Sequence, residues 1–337
     1  RETLAAVAEG RVDLVVGTHA VISRGVEFAA LGRAVVDEQH KFGVRPRREL
    51  VTKGASPPCL VMTATPIPRT LAMVVYGDLD VSVLRGRPPG RGPCETWVVR
   101  GKDGPAVFAR VRAELDAGRQ AFVVYPLVDE SEESAASGLR DATEGRERWA
   151  RALPGRRVGL AHGRMPAEER RRAMDDFRRR RTHVLVATVV IEVGVDVPNA
   201  TVLVVEHAER FGLSQLHQLR GRVGRGPGGG LCVLVDRARG GTPDRLRVLA
   251  STEDGFEIAE QDLRLRGAGD LLGTRQHGAP AFRAARLPDD LPLLLTARTR
   301  VSALLSGDPD LAAPDLAPLR GAVLARESAV GDPSRGG

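Results

Sequence analysis

Several clusters of residues in this chain combine types and spacings that could do chemistry. Asp37-Glu38-Gln39-His40 closes a short apolar run, Ala34–Asp37. Two adjacent carboxylates at a strand terminus can divide labour: one holds Mg²⁺, often through water, and the other polarises an attacking water. A bare Asp-Glu pair is also what a polar turn looks like. The next apolar run, however, leads into Thr63-Ala64-Thr65-Pro66-Ile67-Pro68-Arg69, whose small hydroxyl residues could bond the carboxylates or transmit their state. Gln215–Gly226 reads QLHQLRGRVGRG and sets Arg220, Arg222 and Arg225 among Gly221, Gly224 and Gly226. A flexible backbone there presents several guanidinium forks, the groups that stabilise charge on a transferring phosphoryl group. A solvated basic loop, or a contact to a nucleic-acid backbone, would use the same residues. Upstream, Ala187–Ala200 (ATVVIEVGVDVPNA) carries Gly194, which permits close backbone approach, and Asp196, a carboxylate suited to a ribose hydroxyl.

Stepping outward from these residues, the elements that must hold them are Val-rich apolar runs. Val12–Gly17, Ala34–Asp37, Cys59–Ala64, Ala121–Tyr125, Val184–Thr188, Thr201–Glu206 and Leu231–Asp236 read as buried strands. Helical segments such as Pro105–Ala117 and Pro166–Arg181 lie between them. Near-continuous apolar strands alternating with helices predict parallel sheets covered on both faces, with ligands at the carboxyl ends of the strands. Arg85–Pro93 (RGRPPGRGP) reads as a linker between two such α/β units. Asp129–Pro154 is polar and predicts a long loop with a short helix. Thr242–Gly278 looks helical, and over the last dozen residues the composition predicts disorder. The arginine runs Arg170–Arg172 and Arg178–Arg181 read as a solvated helix face or, alternatively, a contact to a nucleic-acid backbone, and His162 reads as a satisfied loop histidine.

Composition narrows the function classes. Of 337 residues, 42% are hydrophobic, which supports a sizeable core, and only 4% are aromatic, which argues against broad base-stacking platforms. The formal charge is +7, and among the 50 cations lysine occurs only at Lys41, Lys53 and Lys102. A polyanionic partner met through arginine forks fits that balance. Cys59, Cys94 and Cys232 are too scattered for a disulfide framework or a zinc site. No apolar run approaches the roughly 20 residues of a membrane helix, and an intracellular protein is expected.

Taken in order, Asp-Glu-Gln-His, Thr-Ala-Thr, Gly-x-Asp and Gln-x-x-Gly-Arg-x-Gly-Arg resemble the motifs of superfamily 2 helicases and translocases. More narrowly the chain resembles the RecG family of ATP-dependent DNA helicases. Gly17–Leu31, Val36–Val44, Ala64–Leu71, Gln120–Glu130 and Ala187–Gly226 carry the match, and Gly255–Gly278 resembles the helical hairpin that follows the second motor lobe. The transcription-repair coupling factor shares that hairpin, but Asp37–His40, Glu209–Gly212, His217 and Gly273–Gly278 follow the RecG pattern. The resemblance implies an α/β fold of two RecA-like parallel-sheet lobes, the first incomplete, then a hairpin and a short tail. Its expected boundaries are 1–88, 94–240, 242–280 and 281–337. It implies ATP and Mg²⁺ as cofactors, branched or forked DNA met mainly through phosphates as partner, and a cytoplasmic, nucleoid-associated location.

Residue by residue, the resemblance assigns Asp37 and Glu38 to Mg²⁺ and water activation, and Gln39 and His40 to coupling nucleotide state to DNA. Thr63 and Thr65 would link hydrolysis to motion. Gly194 and Asp196 would lie near the nucleotide sugar, Gln218, Arg222 and Arg225 at the γ-phosphate, and Arg266 and Gln276 in the hairpin's force-transmitting network. One departure is large: the family's phosphate-binding loop, Gly-x-x-x-x-Gly-Lys-Ser/Thr, is absent from these residues. The chain also opens on Arg1. Both features lead to the expectation that this is the carboxyl-terminal portion of a longer polypeptide, without the family's amino-terminal wedge domain, and does not turn over ATP alone. A non-catalytic DNA-binding or interaction fragment, the coupling-factor translocase and, more distantly, a metabolic enzyme on a doubly wound sheet are the competing readings.

Overall fold

A computed structural model describes residues 2–23, 25–37, 57–63, 82–84, 86, 89–126, 132–188, 197–266 and 290–330. The chain divides into two compact units, Arg1–Pro68 with Val81–Leu265, and Arg69–Asp80 with Arg266–Gly337. In chain order the elements are α1 (Glu2–Ala8), β1 (Ala34–Val36), β2 (Cys59–Val61), β3 (Cys94–Arg100), α2 (Gly104–Asp116), β4 (Gln120–Tyr125), α3 (Glu132–Ala152) and β5 (Val158–Ala161). They continue with α4 (Ala167–Arg178), β6 (Val184–Thr188), β7 (Ala200–Glu206), α5 (Leu213–Arg220), β8 (Gly230–Asp236), α6 (Asp244–Ser251), α7 (Gly255–Arg266), α8 (Leu291–Gly307) and α9 (Ala317–Val330).

Within the first unit, β1 and β2 form a parallel pair in the register Ala34↔Cys59, Val35↔Leu60 and Val36↔Val61. The other strands make one six-stranded, all-parallel sheet in the order β3-β8-β7-β4-β6-β5. Its central strands are apolar throughout because both faces are covered. Side chains alternate between the faces. Ala121, Val123, Val186, Val204 and Val233 meet Val107, Val111 and Leu115 of α2 and Ala142 and Trp149 of α3. On the other face Phe122, Leu185, Leu203 and Leu234 meet Phe177 of α4, Leu213 and Leu216 of α5, Leu246 of α6 and Ile258 of α7. Each such Leu or Phe contributes about 1.5–3 kcal/mol by leaving water.

The parallel α/β class agrees with the sequence expectation, and five of the expected strands recur within a residue or two of their predicted ends. Three expectations change. Val12–Gly17 joins no ladder among the described residues, and Leu14 and Val16 are 78% and 87% exposed. An apolar run alone does not make a strand without a neighbour to accept its hydrogen bonds. Where a loop with a short helix was expected, α3 spans 21 residues. Its described apolar anchors are few: Ala142, Trp149 (edge-on to Phe108 at 4.6 Å between ring centroids), and Leu153 just beyond the helix. Gly145 lets α3 pass close to β4, since a Cβ there would lie 2.4 Å from the Tyr125 ring. Finally, the segment expected to be a short tail carries α8 and α9, so helix continues to Val330, into the stretch expected to be disordered.

Candidate functional site

The carboxyl ends of β1 and β2 bring two of the anticipated residues to neighbouring strand ends. Asp37 follows β1 directly and is exposed; Thr63 follows β2 by two residues, after the Met62 N–H donates to Val36 O at 2.8 Å. Glu38, Gln39, His40, Thr65, Gly194, Asp196 and Gln276 lie outside the described residues. The backbone of Arg266 ends α7.

Gln218 lies on α5, and Arg222 and Arg225 lie in the loop that carries the chain from α5 into β8. Gly212 caps the start of α5, its N–H donating to Gln215 Oε1 at 3.1 Å, and the helix sinks Leu213, Leu216 and Leu219 into the core. Beyond Arg220, Val223 is fully buried while Arg222 is half-buried and Arg225 exposed. One apolar side chain thus pins the loop between two guanidinium groups. Gly224 has φ +65° and lies so close to Gly230 that a Cβ would meet its nitrogen at 2.6 Å. Only glycine fits both demands.

Arg220 faces inward. Its Nη1 donates to Leu249 O at 2.7 Å and Thr252 O at 2.9 Å, and its Nη2 approaches His217 Nδ1 at 3.0 Å. A guanidinium only donates, so Nδ1 accepts and the imidazole is neutral, with its proton on Nε2. Burial, followed by the nearby cations Arg220 and Arg91, lowers the His217 pKa to about 4. Ser214 on α5 donates to Asp262 of α7 at 3.1 Å. The helix that precedes the arginine loop is therefore tied to the elements that follow the sheet.

A second charged cluster sits at the carboxyl ends of β3, β4, β7 and β8, and sequence reading missed it. Glu206, the last residue of β7, is 3% exposed and accepts from Arg148 of α3 and from Arg237 Nε at 2.9 Å. Asp236, the last of β8, is fully buried and accepts from Arg100 at 2.8 Å. Tyr125 ends β4 beside this group, its hydroxyl accepting from Arg148 at 3.1 Å, and its pKa is raised by burial and then by the Glu206 charge. The available signal was an acidic residue closing each of two apolar runs, TVLVVE and LCVLVD. Its partners come from distant parts of the chain.

The other sequence expectations are mixed. The arginines of α4 behave as a solvated face, with Arg171 and Arg172 on Glu168 and Arg178 near Asp175. His162 is not satisfied: its Nδ1 is buried with no hydrogen-bond partner among the described residues, and burial and then Arg164 lower its pKa.

With this geometry in view, comparison with known proteins is specific. Residues 107–227 match the helicase conserved C-terminal domain, and residues 252–323 match the ATP-dependent DNA helicase RecG, domain 3, C-terminal model. The ATP-dependent DNA helicase RecG of Synechocystis is 48% identical over 322 residues, covering 94% of this chain and 38% of the relative. RecG of Streptococcus pneumoniae is 47% identical, covering 91% of this chain and 46% of the relative. A solved structure of RecG bound to a three-way DNA junction superposes with a TM-score of 0.64 at 44% identity, covering 87% of this chain and 37% of that one. Over almost its whole length this chain is similar to RecG. It spans less than half the length of these RecG relatives. In RecG terms, the arginine loop closes the matched helicase C-terminal domain, and α7 to α9 fall largely within the matched RecG domain 3.

The family implies Mg²⁺, and the described residues fit it in one respect. Asp37 offers a hard oxygen at a strand end, and Mg²⁺ bound with phosphates needs only one or two carboxylates. Among the described residues no group of three His, Cys, Asp or Glu could hold a metal unaided. None of their helices is long and apolar enough to cross a membrane.

Proposed function

We propose that this chain is the motor portion of an ATP-dependent DNA helicase or translocase that remodels stalled forks and junctions in recombination and repair. The observation that carries the reading is the arginine loop, built as described above, in a chain nearly half identical to RecG over almost its whole length. ATP is bound between two α/β lobes, with 1–88 belonging to the first and 94–240 forming the second. Asp37 would hold Mg²⁺, which would neutralise phosphate charge there, and Glu38 would orient the attacking water. Gly194 and Asp196 hold the ribose, while Gln218, Arg222 and Arg225 meet the γ-phosphate as the lobes close. Gln39, His40, Thr63 and Thr65 pass the nucleotide state towards the DNA. Arg266 and Gln276, within 242–280, pass movement to the duplex, and residues 281–337 follow as the terminal region. DNA is held mainly through phosphates, so binding falls with salt and depends little on sequence. The working location is the bacterial cytoplasm, on nucleoid DNA.

No phosphate-binding loop occurs in these 337 residues. Backbone amides and a lysine around the β- and γ-phosphates are what that loop supplies. The chain by itself is therefore expected to bind DNA without hydrolysing ATP. In a complete RecG-type protein carrying this segment, Arg225→Ala lowers DNA-stimulated ATP turnover by about 10³-fold or more and leaves junction binding intact. Near-normal turnover in that variant would remove the arginine-finger role. DNA-stimulated turnover by the isolated chain would remove the proposed dependence on a phosphate loop.

A further inference from the structure

The segment RGRPPGRGP reads in the sequence as a spacer, yet its last residues are bonded to the arginine loop. Arg91 Nη2 donates to Gly221 O at 2.7 Å, just past the end of α5, where a cation also suits the helix dipole. The Gly92 N–H donates to Gly226 O at 3.1 Å, and the Gly230 N–H donates to Pro93 O at 2.9 Å. The last of these continues directly into the β3–β8 ladder, which opens at Cys94↔Gly230. Two glycines make the approach possible. A Cβ on Gly92 would meet Gly229 N at 2.5 Å and Pro227 O at 2.6 Å, and one on Gly229 (φ +71°) would meet Pro93 O at 2.3 Å. Both ends of the loop that bears Arg222 and Arg225 are thereby fastened to the three residues through which the chain enters the second α/β unit.

We propose that Arg91 is a positioning residue, and that Arg91–Pro93 form a clasp fixing Arg222 and Arg225 to the inter-lobe linker. The linker and the arginine loop then move as one piece. A change in linker conformation as the lobes close reaches the guanidinium groups directly, without passing through the sheet. Arg91 itself touches neither nucleotide nor DNA in this account; it acts through the Gly221 carbonyl. The catalytic consequence rests on the arginine-finger reading above, whereas the clasp itself does not.

Two measurements separate those layers. In a complete RecG-type protein carrying this segment, Arg91→Ala is expected to lower kcat for DNA-stimulated ATP hydrolysis by roughly 10- to 100-fold, the scale of an ångström-sized misplacement of a catalytic group. KM for ATP, junction affinity and the melting temperature stay as in the parent, and Arg91→Lys, which keeps one donor for Gly221 O, recovers part of kcat. Gly92→Ala lowers kcat in the same sense. In the present chain, amide hydrogen exchange at Gly221–Gly226 quickens at least tenfold in Arg91→Ala while exchange in α2 is unchanged. Unaltered exchange there would overturn the clasp. Parental kcat in Arg91→Ala beside an inactive Arg225→Ala would overturn its positioning role, and a loss confined to junction affinity would make Arg91 a DNA contact instead. Normal turnover in Arg225→Ala would defeat the arginine-finger reading and leave the exchange result to decide the clasp.

Discussion

At the carboxyl ends of β3, β7 and β8, Arg100, Arg148 and Arg237 meet the buried carboxylates of Asp236 and Glu206. At the opposite end of β8, Arg91 and Arg220 meet the carbonyl oxygens of Gly221, Leu249 and Thr252 and the imidazole of His217. The residue type is the same, but the two sets of acceptors have different consequences. A carboxylate fixes a guanidinium and cancels its charge; a carbonyl or neutral imidazole fixes it and leaves the positive field in place. The first arrangement makes a strut between strands, and the second braces the start of the arginine loop.

The contrast breaks most readily at Glu206. Glu206→Gln keeps the volume but removes the charge shared by Arg148 and Arg237, and should cost roughly 2–3 kcal/mol, somewhat below a fully buried pair because both arginines reach solvent. Urea melts read this as a lower midpoint, with amide exchange in the arginine loop unaffected. A midpoint unchanged from the parent would mean that the strut is not structural.

His217 sharpens the other side. With its folded pKa lowered to about 4 against an ordinary 6.5, the unfolded chain takes up a proton first as pH falls. The stability held by the neutral ring is full above about pH 6.5 and is lost between pH 6.5 and 4. Its size is on the order of 2 kcal/mol after allowing for partial exposure. His217→Gln, which can still accept from Arg220, should flatten that part of the pH profile. A parental profile in the variant would assign the acid sensitivity elsewhere.

The smallest effect belongs to the solvated pairs on α4. Glu168→Ala removes the partner of Arg171 and Arg172, both exposed to water, and should leave the urea midpoint unmoved. A clear shift would show that surface pairing matters more in this fold than the buried struts imply.

Much of this was legible in the residues. β4, β6, β7 and β8 stood out because strands covered on both faces must be apolar throughout, and the QLHQLRGRVGRG segment announced its arginines through glycine spacing. β3 was missed because CETWVVR lies on a sheet edge, only partly buried, and mixes polar with apolar residues. α3 was missed because its sequence is predominantly polar. Val12–Gly17 was over-read for the converse reason, its hydrophobicity being matched by no neighbour among the described residues. The Glu206 cluster and the Arg91 clasp were hidden because their members are brought together only by the order of the strands.

That order also has a consequence for how the molecule comes into being. Among the described residues β3 pairs only with β8, and the ion pair at their far end joins residues 136 positions apart. A chain emerging from the ribosome makes β3 early and must leave it unpaired until β8 follows, after every intervening strand has been synthesised. Gly230 opens β8, so the segment around Arg91 finds its seat among the last events of folding. A nascent protein interrupted before that point would possess most of the sheet but no secured arginine loop.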